Sequence, residues 1–190
     1  TSNISYTAAY NSISLTSGSS RLFGLYNSAT GPVQLDNNTL SLSNTSSSSA
    51  VYAFIYNNQS AATTSSNTNI NNNIFSTSTV QTTGNTYLIY NNSSRKSPEI
   101  ANIQGNSVSG TISRTGLSGP MYLYYNLSAA TGTENISANN FSNISLAGTS
   151  TLWGIYSQTN ASHTQNVIDN TISGITAGTG DINLINLGTA

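Results

Sequence analysis

Ile103-Gln104-Gly105-Asn106-Ser107-Val108-Ser109 is the clearest copy of a frame that returns along the chain: an aliphatic residue, two spacers, Asn, a spacer, an apolar residue and Ser. It recurs at Leu35, Asn38, Leu40 and Ser41; at Ile70, Asn73, Phe75 and Ser76; at Ile136, Asn139, Phe141 and Ser142; and at Val167, Asn170, Ile172 and Ser173. A looser first copy has Ala8, Asn11, Ile13 and Ser14. Six copies spaced by roughly 27 to 35 residues mark a repeat architecture, in which a unit buries its apolar face only against the next one.

A second landmark follows each frame: an aromatic or apolar residue, a spacer, an aliphatic residue, then Tyr and usually Asn. It reads Phe23, Leu25, Tyr26, Asn27; Ala53, Ile55, Tyr56, Asn57; Tyr87, Ile89, Tyr90, Asn91; Tyr122, Tyr124, Tyr125, Asn126; and Trp153, Ile155, Tyr156, Ser157. The sixth copy degenerates to Asn183, Ile185, Asn186 and Leu187. Both landmarks are short, apolar at alternate positions and bounded by Gly, Ser, Thr and Asn, which is the pattern of strands. Ala, Leu, Glu, Lys and Arg are too sparse to sustain a helical period.

Neither Asn-Gly nor Asp-Gly, the preferred antiparallel two-residue turns, occurs in the chain. A propeller blade needs four strands in about 40 or more residues. The expected fold is therefore all-β: a parallel β-helix of about six coils, one repeat of roughly 33 residues per coil, forming a single domain over residues 1–190. Equivalent residues then stack about 4.8 Å apart. Asn38, Asn73, Asn106, Asn139 and Asn170 form a structural column whose amides bond to one another, as in cross-β stacks. Leu40, Phe75, Val108, Phe141 and Ile172 make one inward apolar column, and Leu25, Ile55, Ile89, Tyr124, Ile155 and Ile185 another. Tyr26, Tyr56, Tyr90, Tyr125 and Tyr156 fall on the opposite, outer face as a candidate interaction row, although Leu22, Phe54, Leu88, Leu123 and Leu184 share that side by strict alternation.

Composition narrows the partners. Only 5% of the residues are charged, and Asn, Ser and Thr approach half the chain. Four basic residues do not supply the counterion release that nucleic acid or an anionic membrane requires, so neither is an expected partner. A nearly neutral surface lets copies lie side by side without accumulating repulsion. The chain has no Cys, and no apolar run is long enough to span a bilayer.

No cofactor or metal is expected, and no catalytic set. Asp36 and Asp169 fall four coils apart, roughly 19 Å at the strand spacing, far beyond the roughly 5 to 9.5 Å that glycoside hydrolysis uses. Glu99, Glu134 and Asp181 occupy unrelated positions, and His163, the one His, sits in a polar loop where it is expected to face solvent. Arg95, Lys96 and Glu99 read as a solvated loop tip.

Asn170-Thr171-Ile172-Ser173 and Trp153-Gly154-Ile155-Tyr156, set in coils rich in Ser and Thr, resemble the right-handed parallel β-helix repeats of secreted and surface bacterial proteins, relatives in architecture of pectate-lyase-like folds and long adhesins. The resemblance implies a right-handed, extracellular or cell-surface β-helix and transfers no active-site residue. The expected function is a non-catalytic structural or adhesive solenoid, a segment or subunit of a longer fibre that self-assembles or continues into a filament through uncovered strand edges. The alternative is a module binding surface glycans through the Tyr row. A polysaccharide-degrading enzyme, or an ice-binding protein using Thr77, Thr79, Thr82 and Thr83, is a distant third.

Overall fold

A computed structural model describes residues 5–18, 20–59, 67–93, 99–127, 132–159 and 162–189. Among them no helix forms, and every strand pairing is parallel. The chain winds as a β-solenoid with three faces. The first sheet stacks β1 (Tyr6–Ala9), β4 (Val33–Asp36), β7 (Thr68–Asn71), β10 (Ile100–Gln104), β13 (Thr133–Ser137) and β17 (Thr164–Ile168). The second stacks β2 (Ser12–Ser17), β5 (Thr39–Asn44), β8 (Ile74–Val80), β11 (Ser107–Arg114), β14 (Asn140–Ser142) with β15 (Ile144–Leu146), and β18 (Thr171–Ser173). The third stacks β3 (Leu22–Asn27), β6 (Tyr52–Asn57), β9 (Thr86–Asn91), β12 (Met121–Leu127), β16 (Leu152–Thr159) and β19 (Ile182–Thr189). Six rungs are thus joined by five steps, and the ladder Asn advances by 27, 35, 33, 33 and 31 residues from rung to rung.

Each coil has three strands where the two landmarks suggest two, because the Asn frame straddles a corner. Its aliphatic residue ends a first-sheet strand and its apolar residue begins a second-sheet strand, with Asn at the bend. The residue just before that Asn takes a left-handed backbone in every coil: Tyr10 (φ 59°), Asn37 (57°), Asn72 (54°), Gly105 (64°), Ala138 (54°) and Asp169 (56°). Left-handed geometry turns the chain within one residue, and Asn, Asp and Gly tolerate it best.

The corner leaves polar backbone facing inward, and the Asn column satisfies it. Asn11 Nδ2 donates to Asn38 Oδ1 (2.8 Å), and the same bond joins Asn38 to Asn73 (2.9 Å), Asn73 to Asn106 (2.9 Å), Asn106 to Asn139 (2.9 Å) and Asn139 to Asn170 (2.8 Å). Each backbone N–H donates to the same oxygen. The amide also reaches a carbonyl of the preceding coil, as Asn106 does at Ile70 O (2.8 Å) and Asn139 at Ile103 O (2.8 Å). One side chain therefore bridges three coils, and Asn38, Asn73 and Asn106 have no exposed surface.

The core fills the space between the faces. Leu40, Phe75, Val108 and Phe141 form the inward column beside the Asn ladder, with Phe54 edge-on to Phe75 at 5.5 Å. In the third sheet strict alternation fails. Phe54 and Ile55, Leu88 and Ile89, and Leu123 and Tyr124 are consecutive pairs buried together, and the strand pairing skips the first of each pair in every rung. This break takes Leu22, Phe54, Leu88 and Leu123 off the Tyr side and leaves the Tyr row on the outer face.

Replacing Asn106 by Ala strands two donors of Asn73 and the carbonyl of Ile70 in the interior, a loss of about 3 kcal/mol or more. Asn102 belongs to a half-buried outer ladder, bonding Asn69 and Asn135 at 2.9 Å each, where water replaces the amide. Its Ala variant should lose less than about 1 kcal/mol. Denaturant unfolding of both variants checks the contrast; equal losses would contradict it.

Candidate functional site

The outer face of the third sheet carries an aromatic surface two columns wide. Tyr26, Tyr56, Tyr90, Tyr125 and Tyr156 stack with ring centroids 5.5, 4.2, 5.3 and 5.3 Å apart and interplanar angles of 14°, 2°, 18° and 6°. Beside them run Phe23, Tyr87, Tyr122 and Trp153, interrupted by Ala53. Tyr87 stacks on Tyr122 at 5.0 Å and Tyr122 on Trp153 at 6.4 Å. The columns meet edge to face, Tyr87 with Tyr90 at 5.1 Å, Tyr122 with Tyr125 at 4.8 Å and Trp153 with Tyr156 at 5.2 Å. Such pairs contribute about 0.5 to 1.5 kcal/mol each beyond the area they bury, so the surface clamps successive coils together.

The second column lies in the sequence frame itself, three positions before the Tyr. Regular alternation puts residues three apart on opposite faces, and the doubled inward pair in each strand restores them to one face. Ring faces are largely occupied by neighbouring rings, and the hydroxyl of buried Tyr87 accepts from Asn85 Nδ2 at 2.7 Å. Only Tyr26 of the row is strongly exposed, at 49%; the others are half-buried. Burial, the largest cause in each case, pushes the Tyr87, Tyr122 and Tyr125 hydroxyls up to about 12 and raises Tyr90 further, with repulsion between neighbouring phenolates adding to it.

Inside the corner between the third and first sheets runs a second polar seam. Asn27 donates to Asn57 (2.6 Å), Asn57 to Asn91 (2.8 Å) and Asn91 to the Tyr124 hydroxyl (3.1 Å), which donates in turn to Glu134 Oε1. Asn126 Nδ2 also reaches Glu134 Oε1 (2.6 Å), and Ser157 Oγ donates to Oε2 (2.5 Å) while accepting from Gln165 Nε2 (2.7 Å). Donors thus converge on a carboxylate that is wholly buried. Burying that group unpaired is costly, and the seam supplies its partners.

His163 joins this cluster instead of facing solvent. Its side chain is fully buried, with Nε2 3.8 Å from Glu134 Oε2. Glu134 occupies an inward register position, paired with Ala101 and Gln165. Serine, imidazole and carboxylate therefore lie together, with Ser157 donating to the carboxylate and all three side chains buried.

The remaining charged residues are dispersed. Glu99 is buried, not part of a solvated loop tip; Arg95 and Lys96 lie outside the described residues. Asp36 accepts from Asn71 N and Gln34 Nε2, both at 2.9 Å. Asp169 sits at the left-handed turn position and Asp181 is exposed. Among the described residues no three His, Cys, Asp or Glu side chains converge as a metal would require. Arg114 is buried, and desolvation lowers its guanidinium to about 10. It donates to the carbonyls of Gly84 (2.9 Å), Gly116 (3.3 Å) and Ser118 and to Ser150 Oγ. Of the Thr residues, Thr77 and Thr79 are exposed, Thr83 is half-buried and Thr82 is buried, with its hydroxyl near Ser48 O (2.8 Å) and Ala50 O (2.6 Å).

No protein-family model, no curated protein and no solved structure matches the chain.

The aromatic surface sets an alkaline limit. An unfolded Tyr ionises near 10, and Tyr87, Tyr122 and Tyr125 hold their protons in the fold to about 12. Their contribution is complete below pH 10 and is lost as pH climbs through the folded values near 12. Thermal melts should therefore fall steeply over that interval, with the tyrosinate absorbance band rising together with unfolding. A melting temperature flat across it, with early tyrosinate, would contradict the assignment.

Proposed function

We propose that this chain is a non-catalytic structural solenoid, a rod segment of an extracellular or cell-surface filament or adhesin that extends by adding further parallel rungs. The observation that carries this is that strands of all three sheets pair in parallel with their equivalents in the next coil, so that each rung is a template for another. Ile182, Leu184, Ile185 and Leu187 are 46%, 46%, 58% and 42% exposed, whereas Leu152 and Ile155, one coil earlier in the same columns, are buried. An apolar rung with open strand edges is a template for another rung of the same kind. Near neutrality of the surface supports close lateral packing. The resemblance of the repeats to β-helix segments of bacterial surface proteins points the same way.

Glycan retention through the Tyr row has weaker support. Sugar stacking needs a free ring face, and along Tyr56, Tyr90 and Tyr125 both faces carry a neighbouring ring.

Sedimentation velocity and negative-stain microscopy of the 190-residue chain test the proposal. Rods are expected to lengthen with concentration in steps of roughly 29 Å, six rungs at the strand spacing. Ile185→Asp, exposed in the single rod, should keep the β spectrum and stop the lengthening. Single rods at every concentration, or unimpaired lengthening of the charged variant, would overturn it.

A further inference from the structure

Where the aromatic surface begins, its chemistry changes. Arg21, Phe23, Tyr26, Tyr56 and Asn58 line a cavity of about 290 Å3. We infer that this cavity binds a small ligand combining one ring with a carboxylate.

Three observations converge on that ligand class. Tyr26 stacks on Tyr56 at 5.5 Å and on Phe23 at 5.6 Å and is still 49% exposed. Its ring offers a ligand more exposed surface than the half-buried Tyr56, Tyr90 and Tyr125. Ala53 leaves a gap in the neighbouring column, and Phe23 leans across it to lie 4.7 Å from Tyr56 at a tilt of 35°. This closes an apolar wall beside the exposed ring, and flat rings pack on such walls in offset or edge-on arrangements.

The second observation is charge. Arg21 is exposed, and among the described residues it makes no hydrogen bond or ion pair. Arg114 is buried on carbonyl oxygens, so Arg21 is the one exposed cation among the described residues. Every described carboxylate is committed or remote: Asp36 is held by Gln34 and Asn71, Glu99 and Glu134 are buried, and Asp169 and Asp181 belong to the last coils. A free guanidinium presents a planar fork of donors that matches a carboxylate.

The third is the remaining polar group. Asn58 accepts from Asn92 Nδ2 through its Oδ1 at 3.1 Å, which leaves its own Nδ2 as a further donor at the rim. The wall therefore offers donors and ring surface and no carboxylate, which selects for an anion carrying a ring. One cation does not hold a polyanion, and the volume suits a single ring, below the range of drug-sized pockets. The site lies on the outer face of the first two coils, at the edge strand on which the rod extension proposed above would place a further rung, so it is measured on single rods.

Calorimetric titration of the whole chain with 4-hydroxybenzoate and, separately, methyl glucuronide distinguishes an aromatic from a saccharide ring; 4-hydroxybenzamide serves as the uncharged control. Saturable binding of either acid, weakened about tenfold or more by Arg21→Gln and by Tyr26→Ser, is expected. Tyr156→Ser, at the far end of the column, should leave it unchanged, and circular dichroism should show all three variants folded. Failure of both acids to saturate, equal affinity for the uncharged amide, or full affinity in folded Arg21→Gln would overturn the inference.

Discussion

The carboxamide buried at the bend of each inner coil is satisfied by the coils on either side of it. Asn106 illustrates the constraint: its oxygen accepts two donors from Asn73, and its nitrogen reaches both Ile70 O and Asn139 Oδ1. None of these partners lies in its own turn of chain. Isolated, a single repeat would hold an unsatisfied amide and an uncovered apolar strip; stacked, it has neither. Strand direction, register and the near constancy of repeat length all follow from keeping that column continuous.

The other ladders extend the same logic to groups with different demands. Stacked Tyr rings on the outer face hold coils together through ring contact, while the inner seam from Asn27 to Glu134 carries hydrogen bonds to a buried carboxylate. Tyr124 connects these chemistries. It replaces an aliphatic residue in the column of Ile55 and Ile89, keeps its ring in the core and delivers its hydroxyl to Glu134. Buried polar groups near the axis are thus acceptable because each has a partner above or below, and Arg114 follows the same rule with carbonyl oxygens.

Features that repeat in every coil were legible from the residues alone. The Asn column and the inward Leu40 and Phe75 column follow from spacing and from the cost of an unpaired amide. The left-handed corner was half legible: Asn37, Asn72, Gly105 and Asp169 are residues suited to it, whereas Tyr10 and Ala138 carry no such signal and adopt it because the stack imposes it. Pairing Phe23, Tyr87, Tyr122 and Trp153 with the Tyr row was hidden by the doubled inward positions, which no period of two describes. His163 was misplaced for a different reason. Its buried place beside Glu134, a residue of the preceding coil, is something its own neighbours in sequence do not reveal. Arg114 could have been found, since it stands in the inward register of Val80 and Leu146.

Deletion of one whole turn is the most direct test of vertical registry. Removing residues 74–106, the 33-residue interval between Asn73 and Asn106, brings Asn73 directly before Ser107 and leaves the column running from Asn38 through Asn73 to Asn139. The shortened chain should keep its β circular dichroism and a cooperative melt, while a deletion of half that length should abolish both. If the whole-turn deletion fails to fold, or the half-turn deletion folds as well, the stacked amides do not govern this structure.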